Sequence, residues 1–535
     1  MSHTTSPLRL ALTGSMLVGS MLAGWLLNPS LAAAETPKAW FEAGQRVVSE
    51  RRSGDAPDAK NIILFVGDGM SLTTVAAARI LEGQQRGETG EENLLYFENF
   101  RHLALAKTYN TNQQTPDSAG TMTAMATGVK SFAGAIAVDP SVQRGDCAGS
   151  QGHELVSLLD LAAQGGLATG IVSTTRITHA TPAVLYAKSP DRGWESDRGL
   201  PPSAKAAGCR DIAEQLVRYD VGRGLDIVLG GGRRAFYPAK AQDPEYPKIT
   251  GHRSDGRDLI AEWQARYPEG QFVWNRDGFD ALKLDGSGPI LGLFEPGHMQ
   301  YEFDRPDDPA GEPSLTDMVD RAIDVLSTRG DSGFLLVVES GRIDHAHHAN
   351  NAWRALTDTL EFARAIETAT ERTNPDETLV VVTADHAHAL TFDGYGQRGN
   401  PIMGYAVRQA EGDKPERTMK DHKDRPMTVL NYANGPGYRR ADAKVDFRRM
   451  DPLEADYKQN AGTWQYSATH AGEDVPVYSQ GPGADALYGV LEQNVIYHAL
   501  VAAHPVLRRV QDQHRAPTGL PDWLAFNSKA PQQDD

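Results

Sequence analysis

The sequence predicts an α/β protein whose central, mostly parallel sheet carries helices on both faces. Short runs rich in Val, Ile and Leu lie at 62–66, 171–173, 227–229, 334–338 and 379–383. Such near-continuous apolar runs are typical of parallel strands that are buried on both faces. Segments with helical spacing separate them, at 155–163, 211–218, 315–328 and 353–370. This alternation is the pattern of a parallel sheet layered between helices.

The composition limits the class of protein. The 535 residues are 40% hydrophobic and 23% charged, as in an ordinary soluble globular protein, which excludes a disordered chain, a multi-span membrane protein and a disulfide-dense miniprotein. With 53 Lys and Arg against 70 Asp and Glu, the net charge is −17. Because this charge repels phosphate backbones, we expect no role as a nucleic-acid scaffold. A small phosphate compound would be repelled too, unless cations intervene locally.

The first 34 residues are predicted to be a signal peptide. Arg9 precedes an apolar stretch at 10–27, and the small residues Ala32, Ala33 and Ala34 offer a cleavage site. We therefore expect a periplasmic or secreted protein, cleaved near Ala34 and without stable membrane insertion. An uncleaved anchor is the alternative because the stretch is long, although Gly and Ser within it weaken a membrane span.

The rest of the chain divides into a core and an insertion. From 394 to 465 the strand and helix pattern gives way to charged sequence containing Gly and Pro, which predicts an inserted surface subdomain. We assign 35–393 to the first part of the catalytic core. Its last part, with the C-terminal tail, occupies 466–535.

Acidic and imidazole side chains follow three of the predicted strands. These residues are Asp68, Glu339, Asp344, His348, Asp385 and His386. Because ligands bind outside the carboxyl ends of strands in α/β sheets, we expect these side chains at one edge of the sheet. Neutral imidazole with carboxylate suits zinc, whereas an all-oxygen set suits magnesium. The alternatives are a helix cap for each single Asp and a solvated surface for the histidines.

Ser118 is a candidate nucleophile. It follows Pro116 and Asp117 and opens a run of small residues that can start a helix. A hydroxyl at a helix N-terminus, close to a divalent cation, has a lowered pKa. The alternative is that Ser118 is a plain helix cap.

Cys147 and Cys209 are the only cysteines. In an oxidising compartment they can form one disulfide, and the alternative is two buried thiols.

Six motifs occur in order and together resemble the alkaline phosphatase family: GDGM, PDSAGTMTAMATGVK, RITHATPA, VVESGRIDHAHH, VTADHAHALTFDGY and THAGEDV. The resemblance runs from about Trp40 to His504. It is closer to the animal-type branch than to the enterobacterial one, since His179 and His345 replace an Asp and a Lys of the latter. The segment VLNYANGPGY also resembles the crown insertion of the animal enzymes.

The resemblance implies two zinc ions and one magnesium ion. One zinc ion would be held by Asp344, His348 and His470. The second would be held by Asp385, His386 and Asp68. The magnesium ion would be held by Asp68, Thr181 and Glu339, with Asp68 as a bridge between sites.

The resemblance also implies the roles of several other residues. Ser118 would attack a phosphate monoester and form a phosphoserine, which water then hydrolyses to inorganic phosphate. Arg192 would clamp two phosphate oxygens, as its planar fork of donors permits. His179 and His345 would support the magnesium or phosphate from outside the ligand set. His347 and His388 are expected to support the site rather than to bind metal.

Three structural features follow from the same resemblance. A structural calcium ion would be bound by Glu245, the carbonyl of Phe294, Glu295 and Glu312, although Glu312 departs from the family's Asp. Cys147 and Cys209 would form a disulfide. An N-terminal helix that begins near Trp40 would embrace the partner subunit of a homodimer, and the alternative is that this helix packs on its own core.

Rival functions are a sulfatase, a phosphodiesterase and a non-catalytic metal- or phosphate-binding protein. A sulfatase requires Cys or Ser in a C/S-x-P-x-R motif, and neither cysteine lies in one. Related phosphodiesterases usually have a Thr nucleophile and lack the third metal site. A storage protein has no reason to pair Ser118 with Arg192 across the metals. These comparisons favour hydrolysis of phosphate monoesters.

Overall fold

The computed structural model describes residues 36–513, apart from 55, 285, 287, 413 and 441–449. The predicted signal peptide and the C-terminal tail beyond 513 lie outside the described residues. Among the described residues, no helix has both the length and the apolar run that crossing a bilayer requires.

One large sheet carries the core. Its strands, in chain order, are β1 (Asn61–Gly67), β2 (His102–Lys107), β3 (Ala168–Arg176), β4 (Ile227–Gly231), β5 (Gln271–Val273), β6 (Ile290–Leu293), β7 (Phe334–Ser340), β8 (Thr378–Ala384), β16 (Val475–Gln480) and β17 (Gly489–Glu492). The shorter strands form small sheets: β9 (Ala387–His388), β10 (Leu390–Phe392), β11 (Val407–Arg408), β12 (Arg417–Thr418), β13 (Leu430–Gly435), β14 (Ala461–Trp464) and β15 (His470–Ala471).

Helices connect the strands. They are α1 (Pro37–Arg51), α2 (Leu72–Gln85), α3 (Ser118–Thr127), α4 (Cys147–Ser150), α5 (Leu158–Gln164), α6 (Ala180–Tyr186), α7 (Pro202–Ala206), α8 (Ile212–Val217), α9 (Leu259–Arg266), α10 (Arg276–Asp280), α11 (Leu315–Arg329), α12 (Arg342–His348), α13 (Ala352–Glu371), α14 (Val495–Ala503) and α15 (Pro505–Gln513). Helix α5 begins three residues later than the pattern predicts because Ser157 caps it, accepting a hydrogen bond of 3.1 Å from the amide of Asp160.

The ten strands of the large sheet lie in the order β17-β2-β16-β8-β1-β7-β3-β4-β6-β5. Strand β16 runs antiparallel to its neighbours β2 and β8, and the other neighbouring pairs are parallel. The prediction of a mostly parallel sheet is therefore confirmed. The central strands β1, β7 and β8 are buried almost throughout, as their unbroken apolar runs require.

The predicted insertion contributes no strand to the large sheet within its described residues. Its strands β13 and β14 form a three-stranded sheet with β10, which precedes the insertion, and its strand β11 pairs with β12. Tyr432 of β13 is buried and its hydroxyl lies 2.8 Å from Nδ1 of His347. The insertion therefore reaches the functional edge of the core.

Helix α1 packs on its own core. Phe41 and Val48 are buried, and the ring of Phe41 lies 5.9 Å from that of Tyr497 and 4.4 Å from that of His498 in α14. The alternative of a helix seated on its own chain is thus observed. Because the structure describes a single chain, the homodimer stays a prediction.

Cys147 at the start of α4 and Cys209 after α7 form a disulfide, as predicted. The bridge joins residues that are 62 positions apart. The alternative of two buried thiols is therefore wrong.

Candidate metal and catalytic site

The carboxyl ends of β1, β7 and β8 meet at one edge of the sheet. Gly67, the last residue of β1, pairs with Ser340 of β7 on one side and with Ala384 of β8 on the other. Asp68 and Asp385 are the residues that directly follow β1 and β8, and neither is exposed to solvent. The register therefore brings together carboxylates that are more than 300 residues apart in sequence. The alternative of a helix cap is wrong for both, because Ser71 caps α2 and the strand β9 follows Asp385.

Gly69 allows the ligand loops to approach each other. Its φ is +70°, and a Cβ at this position would lie 3.1 Å from the Cα of Asp344. Its amide donates a 3.1 Å hydrogen bond to Oδ1 of Asp385. A side chain at 69 would therefore strain the backbone and separate the segments that carry Asp68, Asp344 and Asp385.

The first metal-like group contains one carboxylate and three imidazoles. Ligand atoms of Asp344, His348, His388 and His470 lie within 4.8 Å of one another. Helix α12 places Asp344 and His348 on one face, with Nε2 of His348 3.3 Å from Oδ2 of Asp344. His470 is the first residue of β15, far along the chain, and the pairing of β15 with β9 sets it opposite His388.

The second group surrounds His386. Its Nε2 lies 3.4 Å from Oδ1 of Asp68 and 3.4 Å from Oδ2 of Asp385. Asp344 also lies within ligand distance of Asp68 and His386. The two groups are therefore adjacent, and the residues expected for the second zinc ion lie together.

The third group contains Asp68, His179 and Glu339. Oε2 of Glu339 accepts hydrogen bonds from Thr175, at 2.9 Å, and from Ser173. Thr181 is fully buried in α6, which His179 precedes. His179 thus lies within ligand reach, although the resemblance implied only a supporting role. We call these three groups together the sheet-edge site.

The sheet-edge site fits divalent cations. Neither carboxylate oxygen of Asp68 accepts a hydrogen bond from the described part of the chain, and the same holds for Oε1 of Glu339. Burial, together with the charges of Asp385, Asp344 and Glu339, raises the pKa of Asp68 well above its ordinary value. Buried like charges without partners are costly, so a cation is the group that this arrangement lacks.

His386 is poised as a neutral ligand, because burial, and then the charge of His470, hold its pKa well below the ordinary value. Burial acts to raise the pKa of Asp344, but His348, His388 and His470 together outweigh it, so that this pKa lies well below the ordinary value. Burial acts to lower the pKa of His348, but the carboxylate of Asp344 outweighs it and raises this pKa. A neutral imidazole beside an ionised carboxylate is the donor set that zinc prefers.

Ser118 is the first residue of α3 and is 2% exposed. The helix cap is Asp117, whose side chain accepts a 3.1 Å hydrogen bond from the amide of Gly120. The alternative of Ser118 as a plain cap is therefore wrong. Its Oγ lies 3.1 Å from Nε2 of His386, so the hydroxyl points at the sheet-edge site from a helix N-terminus.

Arg192 reaches the site beside Ser118. Its Nη1 donates to Oδ2 of Asp117 at 2.8 Å, and its Nη2 lies 2.9 Å from Nε2 of His179. The residue is half-buried, with 22% of its side chain exposed, so a substrate can reach the guanidinium. Asp117 therefore caps the helix of Ser118 and also holds Arg192, a role that no sequence pattern indicated.

His345 lies outside the ligand groups. Its ring is 5.5 Å from that of His179 and 4.1 Å from that of His298, which follows β6. His298 accepts a 3.2 Å hydrogen bond from the amide of Arg176. His298 thus joins the histidines around Arg192, and sequence reasoning missed it because it follows a short strand that was not predicted.

A separate group of carboxylates, which we call the peripheral acidic cluster, consists of Glu245, Glu295 and Asp308. The Tyr246 hydroxyl donates to Glu295 at 3.1 Å and to Asp308 at 3.2 Å. Burial raises the pKa of Glu295 to about 8, against a smaller opposing effect of its hydrogen bond to Gln300. Three oxygen donors of this kind suit calcium.

The predicted calcium ligands only partly coincide with this cluster. The carbonyl of Phe294 accepts a 2.6 Å hydrogen bond from Nη1 of Arg233. Glu312 is buried and accepts from the amide of Gln300 at 2.8 Å, and its Oε2 has no hydrogen-bond partner in the described chain. Asp308 was not predicted, and the structure places it at the cluster instead.

Comparison with known proteins supports these features. The alkaline phosphatase family profile matches residues 59–506. The chain is 46% identical over 452 residues to the tissue-nonspecific alkaline phosphatase of Gallus gallus, covering 83% of this chain and 84% of the relative. It is 43% identical over 477 residues to the Homo sapiens enzyme of that name, covering 87% and 88%.

Solved structures show the same fold. The alkaline phosphatase of Thermus thermophilus gives a TM-score of 0.59 at 24% identity, covering 86% of this chain and 94% of that one. The enzyme from the Antarctic bacterium TAB5 gives 0.56 at 21% identity, covering 84% and 98%.

Identity to the two animal enzymes is about twice that to the two bacterial structures, in agreement with the animal-type resemblance. Both the profile and the animal relatives cover most of the chain, and the chain belongs to the alkaline phosphatase family.

Proposed function

We propose that this phosphomonoesterase releases inorganic phosphate through a phosphoserine formed on Ser118. The observation that carries the proposal is the position of the Ser118 hydroxyl, which lies at the N-terminus of α3 and 3.1 Å from a ring nitrogen of His386. A nucleophile thus faces a cluster of metal-ligand side chains, as phosphoryl transfer requires. Phosphate monoesters of varied alcohols are the expected substrates.

The residues at the sheet edge support two zinc ions and one magnesium ion. We assign one zinc ion to Asp344, His348 and His470, with His388 beside them. The second is assigned to Asp68, Asp385 and His386, and the magnesium ion to Asp68, Thr181 and Glu339. When bound, the ions supply positive charge that attracts a phosphate and stabilises the attacking and leaving oxygens.

The chain's own residues perform two displacements. Ser118 loses its hydroxyl proton to solvent and its Oγ attacks phosphorus. A new P–O bond forms and the bond to the ester oxygen breaks, so that the alcohol leaves with a proton from solvent. Water then attacks the phosphoserine, restores the Ser118 hydroxyl and releases phosphate. Asp117 holds one side of Arg192 at 2.8 Å, which directs the remaining donors of the guanidinium toward the phosphoryl oxygens. The N-terminus of α3 adds a favourable field for the negative charge on Oγ.

A structural calcium ion is proposed for the peripheral acidic cluster. The supporting observation is that Glu245, Glu295 and Asp308 present oxygens within 4.8 Å of one another. Glu312 adds a buried carboxylate, and burial, followed by the charges of Glu295 and Asp308, raises its pKa well above the ordinary value. We propose Asp308 as a ligand in addition to the predicted residues.

The central test compares two buried serines. We expect Ser118→Ala to lose on the order of 10³-fold in turnover of a chromogenic phosphate monoester at alkaline pH, while its metal content stays unchanged. The control is Ser479→Ala, because Ser479 is fully buried in β16 and its hydroxyl has no partner in the described chain. Metal-loaded protein without activity, or an unchanged Ser118→Ala variant, would contradict the proposal.

Parallel assays separate the rival reactions. A phosphate diester and a sulfate ester are offered to the same preparation, with and without a zinc chelator. We expect the monoester to be hydrolysed far faster than either, and the chelator to abolish its turnover. Preferred turnover of the diester or the sulfate would assign the site to that reaction instead.

Export and dimerisation are proposed separately. The disulfide between Cys147 and Cys209 supports an oxidising compartment, in agreement with the predicted signal peptide and a periplasmic or secreted location. Light scattering of the purified protein tests the homodimer. A monomer mass would contradict that part of the proposal.

A further inference from the structure

Gln493 is a fully buried residue that lies directly beneath the sheet-edge site. It follows the last residue of β17 and is 0% exposed. Its side-chain amide Nε2 donates a 2.7 Å hydrogen bond to the backbone carbonyl of Asp385, 108 positions away in the sequence. Burying a side-chain amide costs free energy unless the amide is hydrogen-bonded.

The carbonyl of Asp385 needs such a donor. Strand β8 ends at Ala384 and β9 begins at Ala387, so Asp385 and His386 lie in a break between two strands. In this break the regular ladder of backbone hydrogen bonds is interrupted. Gln493 replaces the missing ladder partner with a side chain from the far end of the chain.

The hydrogen bond from Gln493 constrains the side chains of Asp385 and His386 together. The carbonyl of Asp385 and the amide of His386 belong to the same peptide group, whose plane sets the direction of the two side chains. Oδ1 of Asp385 accepts from that amide at 2.8 Å, which fixes the nitrogen side of the group. Gln493 fixes the oxygen side. With both sides fixed, the peptide plane has little freedom to rotate.

The residues on either side of Gln493 hold it in place. Glu492 forms an ion pair of 2.9 Å with the buried Lys130. Asn494 donates from Nδ2 to the carbonyl of Gly128 at 3.0 Å, where the nucleophile helix α3 ends, and to that of Trp40 at 2.9 Å. The segment 492–494 therefore joins the end of α3 and helix α1 to the backbone of Asp385.

We propose that Gln493 is a positioning residue that orients Asp385 and His386 as metal ligands. The inference rests on the proposed function, which assigns these two residues to one zinc ion. Gln493 itself touches neither substrate nor metal. Without its hydrogen bond, the peptide between Asp385 and His386 can rotate, and the zinc ion held by them is bound more weakly.

The experiment compares holoenzyme variants of two buried glutamines. Gln493→Met keeps the length of the side chain but removes the donor, and Gln493→Leu removes the donor with a shorter apolar side chain. The control is Gln511→Met, since Gln511 is also buried and accepts one hydrogen bond, from Tyr497 at 3.3 Å. Zinc release is followed with a chromogenic chelator, together with kcat and KM.

We expect both Gln493 variants to release one of their zinc ions about tenfold faster than the wild type, as loss of an outer hydrogen bond to a ligand typically does. Their kcat should fall while KM changes little, and Gln511→Met should match the wild type in zinc release. Equal zinc release in the Gln493 and Gln511 variants would overturn the inference. If the Met variant does not fold, the Leu variant decides by the same measurement.

A further variant separates this inference from the proposed function. His386→Ala removes an assigned ligand and should lose one zinc ion outright. If it keeps its zinc, the assignment of the site is wrong. If it loses zinc while the Gln493 variants hold theirs normally, only the role of Gln493 is wrong.

Discussion

The sheet-edge site and the peripheral acidic cluster both bury carboxylates, but the two regions balance this charge differently. At the peripheral acidic cluster, Nη2 of Arg233 contacts Glu245 at 2.6 Å and Asp243 at 2.7 Å. At the sheet-edge site, Asp68 accepts no hydrogen bond from the described chain, and the nearest guanidinium, Arg192, is bonded to Asp117 instead.

The difference indicates what each region needs from a metal. In the proposed function, the sheet-edge site depends on cations for charge balance, and its imidazoles favour zinc. The peripheral acidic cluster has oxygen ligands alone and already contains a cation in Arg233, so the proposed calcium ion would add stability rather than chemistry. Four experiments test this difference.

The largest effect is expected when one carboxylate in each region is replaced by the corresponding amide. Asp68→Asn should lower kcat/KM on the order of 10³-fold, because Asp68 faces all of the remaining carboxylates of the site. Glu295→Gln, the matched variant of the peripheral acidic cluster, should leave kcat/KM within about threefold of the wild type. Steady-state kinetics with measured metal content provides the check. Similar losses in both variants would remove the distinction between the regions.

Replacement of Arg233 tests the cation inside the protein. Arg233→Met leaves Asp243 and Glu245 buried without their partner, so the free energy of unfolding should fall by about 4 kcal/mol. Added calcium should raise the free energy of unfolding of the variant, and by more than it does for the wild type, because the ion then faces carboxylates without a balancing cation. Denaturant unfolding with and without calcium measures both effects. A variant with wild-type stability in the absence of calcium would show that Arg233 does not balance the cluster.

Outside these two regions, Lys130 is a buried cation that forms an ion pair with Glu492. Burial lowers the pKa of Lys130 from 10.5 to about 8, against the opposing charges of Glu492 and Asp474, and the charge of Lys107 adds to the decrease. Nζ of Lys130 lies 3.4 Å from the centre of the Tyr109 ring. Between pH 8 and 10.5 the unfolded state therefore binds the proton that the folded state has released. Stability from this group rises with pH across that window, by up to about 3 kcal/mol.

Lys130→Met should remove this rise. Urea unfolding at pH 7.5, 9 and 10.5 compares it with Lys107→Met, which changes a partly exposed partner of the same Glu492. We expect the wild type and the Lys107 variant to gain stability with pH and the Lys130 variant to gain less. Parallel curves for all three proteins would contradict the assignment.

The smallest effect concerns Asp308. Asp308→Asn should weaken calcium binding about tenfold, since one ionised ligand becomes a neutral one. Calorimetric titration of the calcium-free protein measures the affinity, and Asp307→Asn is the control because its neighbour Asp307 is exposed and outside the cluster. Equal affinity in the two variants would leave Glu245 and Glu295 as the ligands without Asp308.

The fold was predictable where burial leaves a clear pattern. Strands β1, β7 and β8 are unbroken apolar runs because both of their faces are covered. At one side of the sheet, β2 buries only two of its six residues and β17 one of its four, and β16 contains Pro476. These signals are weak, so the pattern did not locate those three strands.

The site was predictable from position for some residues and only from resemblance for others. Asp68 and Asp385 directly follow strong strands, and this alone points to the sheet edge. Arg192 lies in a loop and His470 in the two-residue strand β15, neither of which has a local signal, and only the family motifs identified them. Asp308 and Gln493 could not have been found either way, because their roles depend on which distant segments the fold brings to them.

The disulfide between Cys147 and Cys209 has a consequence for how the protein matures. His179, Thr181 and Arg192 all lie inside the 62-residue ring that it closes. An oxidised chain therefore begins refolding with Arg192, the proposed phosphate clamp, and two neighbours of the proposed magnesium ion held within a limited volume. We expect the rate at which activity returns, and not only the final stability, to depend on whether oxidation precedes folding.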